Sequence, residues 1–172
     1  MADATFERAM KLAVVTGLRS MLGPALLARA LNRPERKNLA LAAAGEMIAD
    51  KLPLVPSRDT LLPLIVRGLA GAWVARTLQE EDGSYNPWTM PLGAAVAMGV
   101  AVAAPKIRRT LTVTTGISDS LLGLAEDYLA LRLGSDAVGI SMDEISQIAR
   151  DSVEDLKERF TPELQSVGAG SM

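Results

Sequence analysis

Seven charged residues set inside apolar stretches are the ones whose types and spacing could do chemistry: Arg19, Glu46, Asp50, Arg67, Asp119, Glu126 and Asp127. Glu46 and Asp50 are four apart and share one helix face, with Ala42 and Ala43 a turn earlier. Asp119, Gly123, Glu126 and Asp127 form a second acidic face. The two arginines each sit among small residues, Arg19 between Gly17 and Gly23, Arg67 beside Gly68 and Gly71. At membrane depth each such charge costs at least ~2.5–3.5 kcal/mol, so these groups should pair or face a polar cavity. Glu46 or Asp50 is expected to meet Arg19 or Arg67, with Glu126 and Asp127 nearby. As a functional cluster the carboxylates would carry protons or cations, and the arginines would hold a phosphate or carboxylate. As a structural one, the same residues would be buried salt bridges that set helix register.

Other chemistries lack their residues. The chain has no histidine and no cysteine, which removes Ser-His-Asp triads, imidazole bases, thiol nucleophiles, disulfides and nearly all zinc sites. A metal, if bound, would need an all-oxygen site; none is assigned, and no cofactor is expected. There is no G-x-x-x-x-G-K-[ST] phosphate loop, and Gly168-Ala169-Gly170 has no helix after it. An enzyme is therefore not expected. A net charge of −2 supplies no basic footprint for nucleic acid.

The elements that must position the seven residues are apolar helices. Hydrophobic residues make up 49% of the 172-residue chain and mean hydropathy is +0.21, yet aromatics are only 3%. Ala, Leu and Val carry the apolar content, which suits helices that approach closely. Gly83 to Pro105 contains no charged residue; Tyr85 and Trp88 stand at one end and Lys106, Arg108 and Arg109 follow the other. Trp88–Pro105 would run about 27 Å as a helix, close to the ~30 Å hydrocarbon core, with aromatic and basic anchors at its ends. Gly93, Ala97 and Ala101 recur every four residues and give it a face of close approach. The stretches 10–31, 39–52, 61–78 and 111–133 are apolar but interrupted by charge. A soluble Ala-rich bundle is the bland alternative.

Charge bias offers a topology. If every stretch spans, the basic loop 32–38 and the basic loop 106–110 fall on opposite sides, against the positive-inside tendency. Were 39–52 to dip in and return, Arg33, Arg36, Lys37, Lys51 and Arg58 would share a side with Lys106, Arg108 and Arg109. Glu80-Glu81-Asp82 would then lie opposite. That arrangement makes the second element re-entrant or half-length.

Beyond Leu133 the character changes. Residues 134–139 read as a turn, and Ser141 with Glu144 forms a capping-box pattern. Met142, Ile145, Ile148, Ala149, Leu156 and Phe160 fall at helical spacing, so 141–160 is an amphipathic helix. Its charges, six acidic against three basic, disfavour an anionic membrane surface. Packing on its own domain or on a neighbouring subunit is the expected use, with Ile145, Ile148 and Leu156 as docking residues.

Gly45–Ala72 resembles an uncharacterised group of small bacterial membrane proteins, the "domain of unknown function 4126" family. The resemblance rests on Glu46-x-x-x-Asp50-Lys51-x-Pro53, on Arg67-Gly68 with Gly71, and on Leu124-Ala125-Glu126-Asp127-x-x-Ala130; Gly17–Pro24 is compatible with the family's Gly-rich first helix. It implies a multi-pass helical protein of the bacterial inner membrane and implies no reaction. The acidic C-terminal helix lies outside the family pattern.

The expected fold is all-α: four to five membrane-embedded helices, one or more re-entrant, over residues 1–134, and a peripheral helix and tail over 135–172. The leading function is an accessory or structural membrane subunit, its partners the lipid bilayer and other membrane subunits or further copies of itself. The alternative is a small ion-, proton- or anionic-headgroup transporter or channel using the seven charged residues. A soluble helical interaction domain is the third.

Overall fold

The computed structural model describes residues 2–49, 61–147, 150, 151 and 154. Those residues form six helices and no strand: α1 (Ala2–Leu18), α2 (Leu22–Ala30), α3 (Arg36–Ala49), α4 (Leu61–Glu81), α5 (Thr89–Thr115) and α6 (Asp119–Val138). Residues 142–147 are helical as well. The protein is all-α, as its periodicity predicts. Two helices, α4 and α5, are long and apolar enough to cross a membrane, with mean hydropathies of 1.4 and 1.5 over their best stretches.

Helix α1 is the central element, in contact with α2, α4, α5 and α6. Its Ala9, Leu12, Ala13, Val15 and Thr16 are fully buried. One apolar cluster joins Ala9 and Leu12 to Leu27 of α2, Val74 and Leu78 of α4, and Ala137 of α6. A second joins Val15 to Leu22, Leu26, Ala130, Ile140 and Ile145. Large rings are absent from both clusters, and the helices compensate by approaching closely. A Cβ on Gly71 would stand 2.6 Å from the Gly93 carbonyl oxygen, and one on Gly17 would stand 2.6 Å from that of Ala97. Only hydrogen fits at either position, so backbone meets backbone where α1, α4 and α5 cross.

Successive helices alternate in direction. Near its start α1 meets the end of α4: Thr5 Oγ1 donates to Asp82 Oδ2 at 2.6 Å. Near its end it meets the middle of α5, through Gly17, and Asp127 of α6, through Arg19. The apolar stretch 10–31 is therefore two antiparallel helices, not one. The chain reverses at Arg19–Met21, and Pro24 falls in the first turn of α2, where its missing N–H costs nothing. This extra reversal overturns the charge-based topology. Arg33 pairs with Glu81 at 2.7 Å, so the basic loop 32–38 and the acidic loop 80–82 share one end of the bundle. Arg108 stands at the other end.

Two helix boundaries differ from expectation. Helix α5 does not stop at Pro105; it continues to Thr115 and ends on Gly116 at φ 72°. In its last turns Thr110, Thr114 and Thr115 donate their hydroxyls to carbonyls four residues back. Helix α6 likewise runs through Gly134, where a turn is expected, and stops at Gly139, φ 73°. Gly134 is a close-packing residue: a Cβ there would run into Leu26 of α2. The capping of the C-terminal helix follows its pattern, with the Glu144 amide donating to Ser141 Oγ at 3.2 Å.

Candidate functional site

Glu46 and the reversal between α1 and α2 organise the polar cluster. Met21, which precedes α2, offers no capping side chain, and the amides of the turn before it need an acceptor from elsewhere. Glu46, arriving on α3, supplies it. Its Oε1 accepts from the Ser20 amide at 2.9 Å and the Ser20 hydroxyl at 2.8 Å, and its Oε2 accepts from the Met21 amide at 2.9 Å. A carboxylate at a helix N-terminus is also favoured by the peptide dipoles. On its other side Glu46 Oε1 takes a hydrogen bond from Arg67 Nη2 of α4 at 3.3 Å. One carboxylate thus ties α2, α3 and α4 together.

Beside it, Arg19 reaches across to α6. Its Nε donates to Asp127 Oδ1 at 2.6 Å, and Nη2 approaches the same oxygen. Both partners are almost sealed, with side chains 4% and 12% exposed. At those exposures the pair is held in a medium where charge interactions are strong and an unmatched charge is costly. A third arginine, Arg108 of α5, joins from the other side: its Nε donates to Asp119 Oδ1 at 2.8 Å and its Nη1 to Glu126 Oε2 at 3.3 Å.

The structure brings Glu46 to Arg67, one of the pairings expected from charge and spacing, and gives Arg19 to Asp127, expected only to lie nearby. It gives Glu126 and Asp119 to Arg108, which the sequence reading treats only as a membrane anchor. A signal for that contact exists. Arg108 and Glu126 lie equally far from Ile117, at the apex of an antiparallel hairpin turning on Gly116–Ser118, so the fold must face them. The role of Ser20 and Met21 has no side-chain signature; it follows from a helix start that lacks its own cap. Asp50 lies outside the described residues, as do Ile148 and Leu156 of the expected docking face. Ile145 is not available for docking: it is 8% exposed and packs in the chain's own core with Val15 and Leu26.

Chemically the cluster sets three arginines against four carboxylates, Arg108 serving two of them. Each described carboxylate in it meets a guanidinium, and among the described residues no three acidic groups converge to hold a metal. Such an arrangement clamps helices. Carrying a cation or holding an anion would require first separating an ion pair. No family model, curated protein or solved structure matches the chain.

Proposed function

We propose that this protein is an integral membrane subunit that packs against lipid and neighbouring helices through α4 and α5, with the arginine–carboxylate cluster as an internal clamp. The observation that carries this reading is where α4 and α5 put their large side chains. The residues that α5 buries are Thr89, Gly93, Ala97 and Ala101, all small. Only 17% of its most apolar stretch is buried, and 44% of that of α4. Outward stand Leu61, Leu62, Leu69 and Trp73 on α4, and Met90, Leu92, Ile107 and Leu111 on α5. A soluble bundle drives its largest apolar groups inward, because their removal from water is what stabilises it. In lipid that drive is absent, and helices meet through small residues while large ones face hydrocarbon.

The depth of the charges supports the same reading. Gly17 touches Ala97 and Val100, so Lys11, six residues earlier on the parallel helix α1, is level with the first turns of α5 near Trp88. Lys11 pairs with Asp136, half-exposed, at a depth where long side chains reach the interface. Arg19, Asp127, Glu46 and Arg67 lie deeper, and there each is enclosed by protein. Four to five embedded elements, a bacterial inner-membrane location and kinship with the family resembled by residues 45–72 belong to this proposal.

The test is extraction followed by native mass. The chain should stay with host membranes through an alkaline carbonate wash. In mild detergent it should migrate with other polypeptides or as a defined homo-oligomer. Release by carbonate would overturn membrane embedding; a lone monomer in detergent would overturn the subunit role.

A further inference from the structure

Away from the arginine–carboxylate cluster, α2, α3, α6 and the helix that follows α6 line an open cavity of about 540 Å³, within the size range of small-molecule sites. Its floor is apolar, formed by Leu26, Ala44, Met47 and Leu131 among others. Its rim is charged and divided by sign. Arg36 and Lys37 line it from α3, Asp151 and Glu154 from the helix that follows α6. At one end Arg29 closes the gap with Glu144 at 3.1 Å. Among the described residues no ion pair joins Arg36 or Lys37 to Asp151 or Glu154.

The placement of the cations is unusual. Arg36 and Lys37 occupy the first turn of α3, which holds no acidic residue. That is the positive end of the helix, where carboxylates or bound anions are stabilising and cations are not. An anion above this turn would answer both the amides and the two side chains. The carboxylates of Asp151 and Glu154 call for a cation in the same cavity. From Lys37 to Met47 the floor extends about 15 Å along α3 at ~1.5 Å per residue, far enough for much of an extended alkyl chain.

We infer that the cavity binds a zwitterionic single-chain phospholipid, its phosphate against Arg36 and Lys37, its ammonium against Asp151 and Glu154, and its acyl chain on the apolar floor. A purely anionic amphiphile would satisfy Arg36 and Lys37 and leave Asp151 and Glu154 with like charge. A headgroup without a chain would leave the floor empty. The cavity lies within one chain, so this assignment stands or falls independently of whether α4 and α5 cross a bilayer.

The test uses the full chain in a non-ionic detergent, titrated with palmitoyl lysophosphatidylethanolamine, palmitoyl lysophosphatidylglycerol and free phosphoethanolamine, with bound ligand read by native mass spectrometry. The ethanolamine lysolipid should bind about tenfold more tightly than the glycerol one, the difference that a single charge-assisted contact makes. Phosphoethanolamine alone should not bind in the same range. The double variant Asp151→Asn/Glu154→Gln should bring the two lysolipids to equal affinity, and Ala44→Phe, which fills the floor, should weaken both. Equal affinity in the unaltered protein, chainless phosphoethanolamine binding as well as the lysolipid, or a preference that survives the double variant would each overturn the assignment. Because Asp151 and Glu154 are exposed, the double variant keeps the test intact should Ala44→Phe fail to fold.

Discussion

At the scale of single residues, the Arg19–Asp127 pair shows why a buried charge need not be a working one. Both groups have left water almost completely, a transfer that their mutual attraction offsets only when geometry is good. Removing one partner abandons the other in a low-dielectric site. Arg19→Leu or Asp127→Leu should therefore each destabilise the bundle by about 3–5 kcal/mol. Replacing both together removes the attraction and the desolvation cost at once, so the double variant should recover most of that loss. Chemical unfolding of the four proteins in detergent measures the cycle. A double variant as unstable as the sum of the singles would mean that the two residues do not act as a pair. Recovery is the expected signature of a clamp.

At the scale of elements, stability rests on how near α4 and α5 can come, and one residue tests it. A side chain at Gly71 has no space beside the Gly93 carbonyl, so Gly71→Val must push the two helices apart. Overpacking of this kind costs about 1–3 kcal/mol. The loss should appear as faster amide exchange along the α4–α5 seam, with α2 and α3 unchanged; protection equal to the unaltered protein would show that the contact is not limiting. The stripe of Gly93, Ala97 and Ala101 was legible in advance, since spacing by four in an uncharged run has few other meanings. The reversal at Arg19–Met21 was not. It carries no Gly-Pro turn of its own, and its anchor, Glu46, arrives from α3. The continuation of α5 past Pro105 and of α6 past Gly134 escaped for a related reason. Proline and glycine mark a break only when tertiary packing does not use them, and at Gly134 the approach of α2 demands the glycine. The hairpin partners Arg108 and Glu126 could have been paired by symmetry once the turn at Gly116 was placed. Glu46–Arg67 and Asp127–Arg19 were foreseeable as charges needing partners, though which arginine met which carboxylate depended on the missed reversal.

At the scale of the whole molecule, the exposed apolar faces of α4, α5 and α6 decide what surrounds it. Leu69, 67% exposed, stands one residue from Gly68, which contacts Met98 in the uncharged body of α5. If the surroundings are water, a lysine there is an ordinary surface substitution worth within about 0.5 kcal/mol. If they are hydrocarbon, the same lysine costs ~2.5–3.5 kcal/mol on insertion, softened only as far as its side chain can reach the interface. Leu69→Lys should therefore lower the fraction of chain integrated into membrane vesicles during synthesis several-fold, and Leu69→Phe should not. The upper arm of the α5–α6 hairpin supplies the control. Arg19, just past the end of α1, pairs with Asp127, so residues 119–126 of α6 extend about 12 Å beyond that level at ~1.5 Å per residue. Leu121 there is 60% exposed, in the same first turns of α6 as Asp119, which pairs with Arg108. If α4 and α5 cross hydrocarbon, a lysine at Leu121 should leave integration unchanged, because that end of the hairpin already holds the charges of Arg108 and Asp119. Equal effects at Leu69 and Leu121 would place both in the same medium and remove the argument for a layer. A loss confined to Leu69 would locate the hydrocarbon against α4 and α5, between the ion-paired end near Trp88 and the arginines that follow Pro105.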